Sequence, residues 1–325
     1  MNISLRTIQI GGYVFVVLLM GALTISAGIS FISGTIVKEA QLKVHMDLNS
    51  AWAAYNEEAA QLQMSMGLVS QQRVVRDAMA ERLHPDTVTA RLEALRVRHR
   101  FDYLTLIDQD GLVCGASRYS ARVGSPIRRD AVIDQALSGN VVHGTVRIER
   151  EDLLHKSAVL AERAFIPILP TQHAVPDTQT QLDCGMALET AIPILGLNDE
   201  IVGVLYGGIL LNRRAQIVDK VRNTVFGEEM YNGKPLGTVT IFLGDVRIST
   251  NVIQDDSSRA IGTRVSAEVY HTVLEKGRRF GSRAFVVNDW YLSAYDPIRD
   301  PTGRIIGILY VGLLEQKYID YKSTL

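Results

Sequence analysis

The first hydrophobic pattern along the chain is continuous rather than periodic. From Thr7 to Val37 no residue is charged, a run of 31 positions that is densest over Tyr13–Leu23 and goes on through Ile25, Ile29, Phe31 and Ile32. As a helix it would be about 46 Å long, against the roughly 30 Å that a hydrocarbon core requires. The pattern predicts a transmembrane helix over 8–33 behind a short leader, 1–7, that holds Arg6. A cleaved signal peptide ending near Ser26-Ala27-Gly28 is the rival reading, but apolar residues run past that cut. The positive leader predicts a cytoplasmic start and an extracytoplasmic body.

A periodic stretch follows. Val37, Val44, Leu48, Ala51, Tyr55, Leu62, Met66 and Val69 recur at steps of three, four or seven, one apolar face of a helical stalk over 34–98. His84-Pro85-Asp86 interrupts it, and a second helix is predicted from about Thr87 to Arg98. Two uses of the apolar face stay open: packing on the chain's own domains, or a seam between two subunits of a homodimer.

Beyond Arg100 the pattern changes to short β-rich runs. Tyr103–Ile107 and Leu112–Ala116 flank the turn Gln109-Asp110-Gly111, and Val239–Leu243 and Val246–Thr250 flank Gly244-Asp245. Three landmarks recur in order: Val123-Gly124 with Gly139 and Ile261-Gly262 with Gly277; Arg163-Ala164-Phe165 and Arg283-Ala284-Phe285; Pro193-Ile194 through Gly208 and Pro297-Ile298 through Gly312. Their offsets are 138, 120 and 104. A duplicated unit accounts for the order, each copy reading strand, strand, helix and three more strands, hence an α+β fold of antiparallel sheets with helices on one side. The falling offsets imply two insertions in copy one. The second, which includes Pro170, His173 and Gln181, is a polar loop of the kind that carries binding residues, and makes copy one the favoured ligand domain.

Composition narrows the function. Lys plus Arg is 34 and Asp plus Glu is 35, a net charge of −1, which argues against a nucleic-acid partner. The seven histidines and two cysteines have no metal-ligand spacing, so no metal and no cofactor is expected. Nucleophile-elbow, zinc-protease, phosphate-loop and dinucleotide motifs are missing from the sequence, so a hydrolase is the weakest reading and no catalytic residue is predicted.

The segments Gly203-Val-Leu-Tyr-Gly-Gly-Ile-Leu-Leu-Asn-Arg213, Thr240-Ile-Phe-Leu-Gly-Asp-Val-Arg-Ile-Ser-Thr-Asn251, Ala284-Phe-Val-Val-Asn-Asp-Trp-Tyr291 and Gly307-Ile-Leu-Tyr-Val-Gly-Leu-Leu-Glu315 resemble the double Cache sensor region of bacterial histidine kinases and chemoreceptors. The resemblance implies two tandem PAS-like (Cache) domains behind the stalk: a membrane-distal one over 99–215, a membrane-proximal one over 216–316, and a helix, 317–325, leading back to the membrane. It implies an inner-membrane protein, single-pass over these residues, with its bulk periplasmic and a small molecule as ligand. No kinase motif lies within these residues, so such activity could belong only to a longer receptor. The alternative is a membrane-anchored binding protein without its own transmitter.

Arginine forks pair well with carboxylates. Candidate ligand residues in copy one are therefore Arg118, Arg147 and Arg163, with Tyr103, Tyr119 and Tyr206 as walls; Arg283, Trp290, Tyr291 and Tyr295 of copy two are secondary candidates. The expected ligand class is a small carboxylate. An oxidising compartment and an even cysteine count predict a disulfide between Cys114 and Cys184, with two reduced strand thiols as the alternative.

Overall fold

The computed structural model describes residues 5–80, 82–117, 122–254, 257–287 and 289–323; its side chains are those of 13, 15, 17–21, 23, 24 and from 38 to 320 within these ranges. One helix, α1 (Leu5–Ser70), forms the spine. The 8–33 stretch lies in its first half, where most side chains are outside the described set. Among the described residues no helix is long and apolar enough to cross a membrane. Further along, Val44, Leu48, Ala51, Tyr55, Leu62, Met66 and Val69 are all buried. They pack against the chain's own sheets, so this face is not a seam for a second subunit. A different stripe, Leu42, Met46, Met64 and Leu68, faces outward. After α2 (Arg73–Met79), Pro85 opens α3 (Pro85–His99) behind the His84 cap, and Arg100 closes it in the left-handed conformation at φ 60°.

Two five-stranded antiparallel sheets follow. The first consists of β1 (Tyr103–Asp108), β2 (Val113–Ala116), β3 (Val142–Ile148), β6 (Gly185–Leu195) and β7 (Ile201–Leu210), in the order β2-β1-β7-β6-β3. The second consists of β10 (Gly237–Leu243), β11 (Val246–Thr250), β12 (Phe280–Val286), β13 (Asp289–Arg299) and β14 (Ile305–Leu314), in the order β11-β10-β14-β13-β12. Helix α4 (Ala131–Leu137) lies between Gly124 and Gly139. Helix α8 (Ala267–Val269), with the π-helical turn Tyr270–Glu275, lies between Gly262 and Gly277. A linker helix, α7 (Ala215–Phe226), joins the two units, the hairpin β8 (Met230–Tyr231) and β9 (Lys234–Pro235) precedes the second sheet, and α9 (Gln316–Ser323) follows β14.

Alternation along the strands divides the first sheet. Leu104, Leu106, Met186, Leu188 and Leu205 share a core with α1, whereas Tyr103, Ala187, Ala191, Val204 and Tyr206 face the other way, among α4 and its neighbours. Helix α1 also ties the sheets together: Trp52 Nε1 donates to Asp296 Oδ2 at 2.7 Å, and the Tyr55 and Thr145 hydroxyls are 2.8 Å apart.

The repeat is confirmed at its two ends and corrected in the middle. Arg163-Ala164-Phe165 ends a helix, α6 (Ala158–Ala164), whereas Arg283-Ala284-Phe285 lies in β12. By register the partner of β12 is β3, with Gly144 opposite Glu189 as Ser282 is opposite Ser293. The offset of 138 therefore holds through β3 and drops to 104 at β6, so a single 34-residue insertion, 138 less 104, replaces the two expected. It holds α5 (Arg150–Lys156), α6, and the strand pair β4 (Ile166–Pro167) and β5 (Gln181–Leu182).

The polar loop of this insertion is a strap on the second unit. Leu169 N donates to Gly262 O at 3.0 Å, Ala267 N to His173 O at 2.7 Å, Arg264 N to Thr171 Oγ1 at 3.0 Å and Arg264 Nη1 to Val175 O at 2.9 Å. The disulfide expectation also fails, because Cys114 and Cys184 are not bonded. Cys114 lies on β2 and Cys184 at the start of β6, three strand spacings away, about 14 Å. Disulfide Cα atoms are at most about 7 Å apart.

Candidate functional site

The face of the first sheet opposite α1 opens into a cavity of about 790 Å³. Register shows how the same face differs in the second sheet. Ala187 and Ala191 of β6 correspond to Tyr291 and Tyr295 of β13, since each pair meets matching residues of β7 and β14. The first sheet thus has two buried methyl groups where the second has two buried phenol rings.

Thr105, Val113, Glu189 and Tyr206 form the cavity floor. One wall is the segment 125–131, which leads into α4, together with Lys156 at the end of α5. The facing wall belongs to the second unit: Gly244 in the β10–β11 turn, and Thr302, Arg304, Ile305 and Ile306 where β14 begins. Nearby, Pro301 packs so closely on Gly144 that a Cβ there would lie 2.7 Å from its ring. The cavity thus lies between the sheets, floored by one and closed by the other.

Its chemistry centres on Glu189, which is 1% exposed. Tyr103 donates to Glu189 Oε2 at 2.6 Å, an approach open because Gly208, opposite on β7, has no Cβ to meet the Tyr103 hydroxyl. Oε1 is buried with no hydrogen-bond partner among the described residues, and the Asp130 carboxyl is near enough to act on the charge of Glu189. Burial raises Glu189 to about 7, the Asp130 charge adds to the rise, and Lys156 and Tyr103 oppose it. Asp130 is fixed by capping α4, its Oδ1 accepting from Val132 N and Ile133 N at 3.0 Å. Lys156 lies 4.5 Å from the Tyr103 ring centroid and 4.6 Å from that of Tyr206. Burial acts to lower its pKa, but Tyr206, Glu189, Asp130 and Asp152 outweigh it and keep the ammonium charged.

Among the sequence candidates, Tyr206 and Arg147 line the cavity, and Tyr103 lies under it through Glu189. Arg147 is half-exposed and engaged with Glu149 at 2.9 Å. Arg163 is elsewhere: it grips Asp102 at 2.6 and 3.2 Å and Leu210 O at 3.1 Å, a clasp that Arg214 joins at 2.8 Å. Arg118 and Tyr119 lie outside the described residues. In the second unit Arg283 is on the surface, paired with Glu315 at 2.7 Å and 3.9 Å from the ring centroid of Trp290, which is itself 44% exposed. Tyr291 and Tyr295 are buried in the second sheet's core. Sequence reasoning missed Glu189, Lys156 and Asp130. Glu189 had a signal, since it is the one charged residue in the eleven-residue strand Gly185–Leu195.

Residues 209–324 match the family model for single Cache domain 3. Comparison with curated protein sequences gave no match. Similar solved structures include the sensor domain of the Vibrio cholerae histidine kinase DctB, 10% identical over 85% of this chain and 98% of that one, with a TM-score of 0.47. The periplasmic domain of V. cholerae LuxQ is 10% identical over 83% of this chain and 99% of that one, at 0.44. The ligand-binding domain of the Pseudomonas aeruginosa PAO1 amino acid chemoreceptor PctB, in complex with L-Arg, is 13% identical over 86% and 95%, at 0.39.

Proposed function

We propose that the chain is the extracytoplasmic small-molecule sensor of a bacterial membrane receptor, of the histidine kinase or chemoreceptor type, and takes its ligand in the cavity of the first unit. The segment 8–33 anchors it, 34–98 forms the stalk, 99–215 is the membrane-distal domain and 216–316 the proximal one, and 317–325 leads back to the membrane. The match of residues 209–324 to a Cache family supports the sensory role. One observation carries the mechanism: a wall of the cavity is the start of β14, and β14 runs straight into α9.

A ligand that fills the space touches the first sheet and this wall together. It favours whichever arrangement of the two units it fits better, and the difference emerges as a displacement of α9, about 1–2 Å for helix shifts of this kind. Lys156 takes a ligand carboxylate, and the Glu189–Asp130 pair takes an ammonium or hydroxyl group at the other end. The ligand class is therefore a small carboxylate with a second polar group. The outward stripe Leu42, Met46, Met64 and Leu68 is the seam of a homodimer.

The test is a thermal-shift screen of the detergent-purified full chain against amino acids and small hydroxy- and dicarboxylates, followed by calorimetric titration. Lys156→Met and Glu189→Gln are each expected to weaken the best hit tenfold or more, since charge-assisted hydrogen bonds contribute roughly 1.5–3 kcal/mol. A hit that binds both variants as tightly as the parent overturns the assignment of the cavity.

A further inference from the structure

The second sheet holds a buried cation with no counter-ion among the described residues. Arg247 of β11 is 5% exposed, and two of its nitrogens, Nε and Nη1, are buried with no hydrogen-bond partner. Its guanidinium carbon is 5.2 Å from the Phe242 ring centroid. The groups that act on its charge are the phenols of Tyr310, Tyr295 and Tyr291, none of them a carboxylate. Burial alone acts to lower its pKa, but a guanidinium does not give up its proton in a protein, so neutralisation by deprotonation is closed to it. An unpaired charge in such a place is strongly destabilising until an anion joins it.

The position of Arg247 is informative. β11 and β2 have the same irregularity in register, and Arg247 opposite Phe242 corresponds to Val113 opposite Ile107. Val113 lines the cavity of the first sheet. Arg247 therefore projects from the same concave face, at the place where the first unit opens for its ligand. The surrounding positions correspond too. Tyr310 is at the place of Tyr206, Ser293 at that of Glu189, and Thr238 at that of Tyr103. Ser293 and Thr238 both reach the Tyr310 hydroxyl, at 3.5 and 3.3 Å. Where the first unit carries the Glu189 carboxylate, the second carries the Ser293 hydroxyl, and the cation on this face is Arg247.

We propose that the second unit has an anion site of its own, centred on Arg247 Nε and Nη1. With the buried rings of Tyr291, Tyr295 and Tyr310 around it, it accepts one small monoanion, a halide or a carboxylate of acetate size. The anion is a resident of the sheet, distinct from the ligand in the cavity between the units, and joins β11 to the strands that lead to α9.

The experiment follows the thermal unfolding of the full chain in detergent at constant ionic strength, with chloride or acetate replacing gluconate, an anion too large for the site. Parent and Glu189→Gln are expected to gain about 5 °C between 1 and 100 mM of the fitting anion, the response of a site that binds the native state alone. Arg247→Met is expected to be insensitive. The two arms identify halide or carboxylate, and the Glu189→Gln arm separates this site from the cavity of the first unit. An equal response in Arg247→Met, or none in the parent, overturns the proposal. Should Arg247→Met fail to fold, a crystal of the parent soaked in bromide decides: anomalous density on Arg247 supports the site, and an ordered water there overturns it.

Discussion

Glu189 links the chemistry of the cavity to the stability of the fold. Its folded pKa of about 7 exceeds the ordinary 4.5, so the native state holds a proton that the unfolded chain releases. Its contribution is complete below pH 4.5 and is lost as pH rises to 7, up to about 3 kcal/mol in all. Asp130, Lys156, Tyr103 and Tyr206 face it, and Glu189→Gln leaves all four in place. Urea unfolding of that variant is expected to show a stability difference between pH 5 and pH 8 that is smaller than the parent's by up to this amount. Arg163→Ala is expected to cost about 1–3 kcal/mol, because it strips a hydrogen-bonded partner from the buried Asp102, and to leave ligand affinity unchanged. Ala191→Tyr imports the second unit's residue and is expected to abolish binding while the chain still folds, at an overpacking cost of about 1–3 kcal/mol. Tyr206 and Arg147, singled out from sequence because tyrosine and arginine are common ligand contacts, line the cavity. Lys156 was not singled out, since what marks it is the pair of rings from β1 and β7 that enclose it, and nothing near it in sequence reports them. Arg163 was misread for the same reason: its partner, Asp102, is 61 positions away.

At the level of elements, the hydrophobic pattern was most legible where one face of an element is buried. The buried side of α1 falls on the residues that the periodicity marks, and Leu48→Ala or Met66→Ala, both at 0% exposure, is expected to cost about 2–5 kcal/mol in urea unfolding. The hairpins of β1–β2 and β10–β11 were legible from their turns, and β6–β7 and β13–β14 from glycines that recur at one offset. Helix α7 was lost in a domain boundary, although Ile217, Val218 and Val221 are its buried face. The strap escaped sequence reading because its contacts are largely backbone groups meeting across units, as at Leu169 and His173, and main-chain bonding leaves no mark on residue type.

For the whole molecule, Gly144 against Pro301 is one of the contacts between the two sheets. Gly144→Val is expected to push the β13–β14 turn outward and to weaken ligand binding several-fold without unfolding either sheet, with separate circular dichroism and titration measurements as the check. Alkaline phosphatase fused after Leu325 is expected to be active and to stay in the membrane fraction; activity in the soluble fraction would instead indicate cleavage near Gly28. Neither the wall that the second unit lends to the cavity nor the bond between Trp52 and Asp296 could be read from sequence, because each depends on how two separately legible units are set against one another. The 34-residue insertion has one more consequence. Lys156 and the strap lie on the same continuous segment, 149–184, which joins a cation of the cavity lining to the contact with the second unit. Exchange of that segment between related chains would carry both over together.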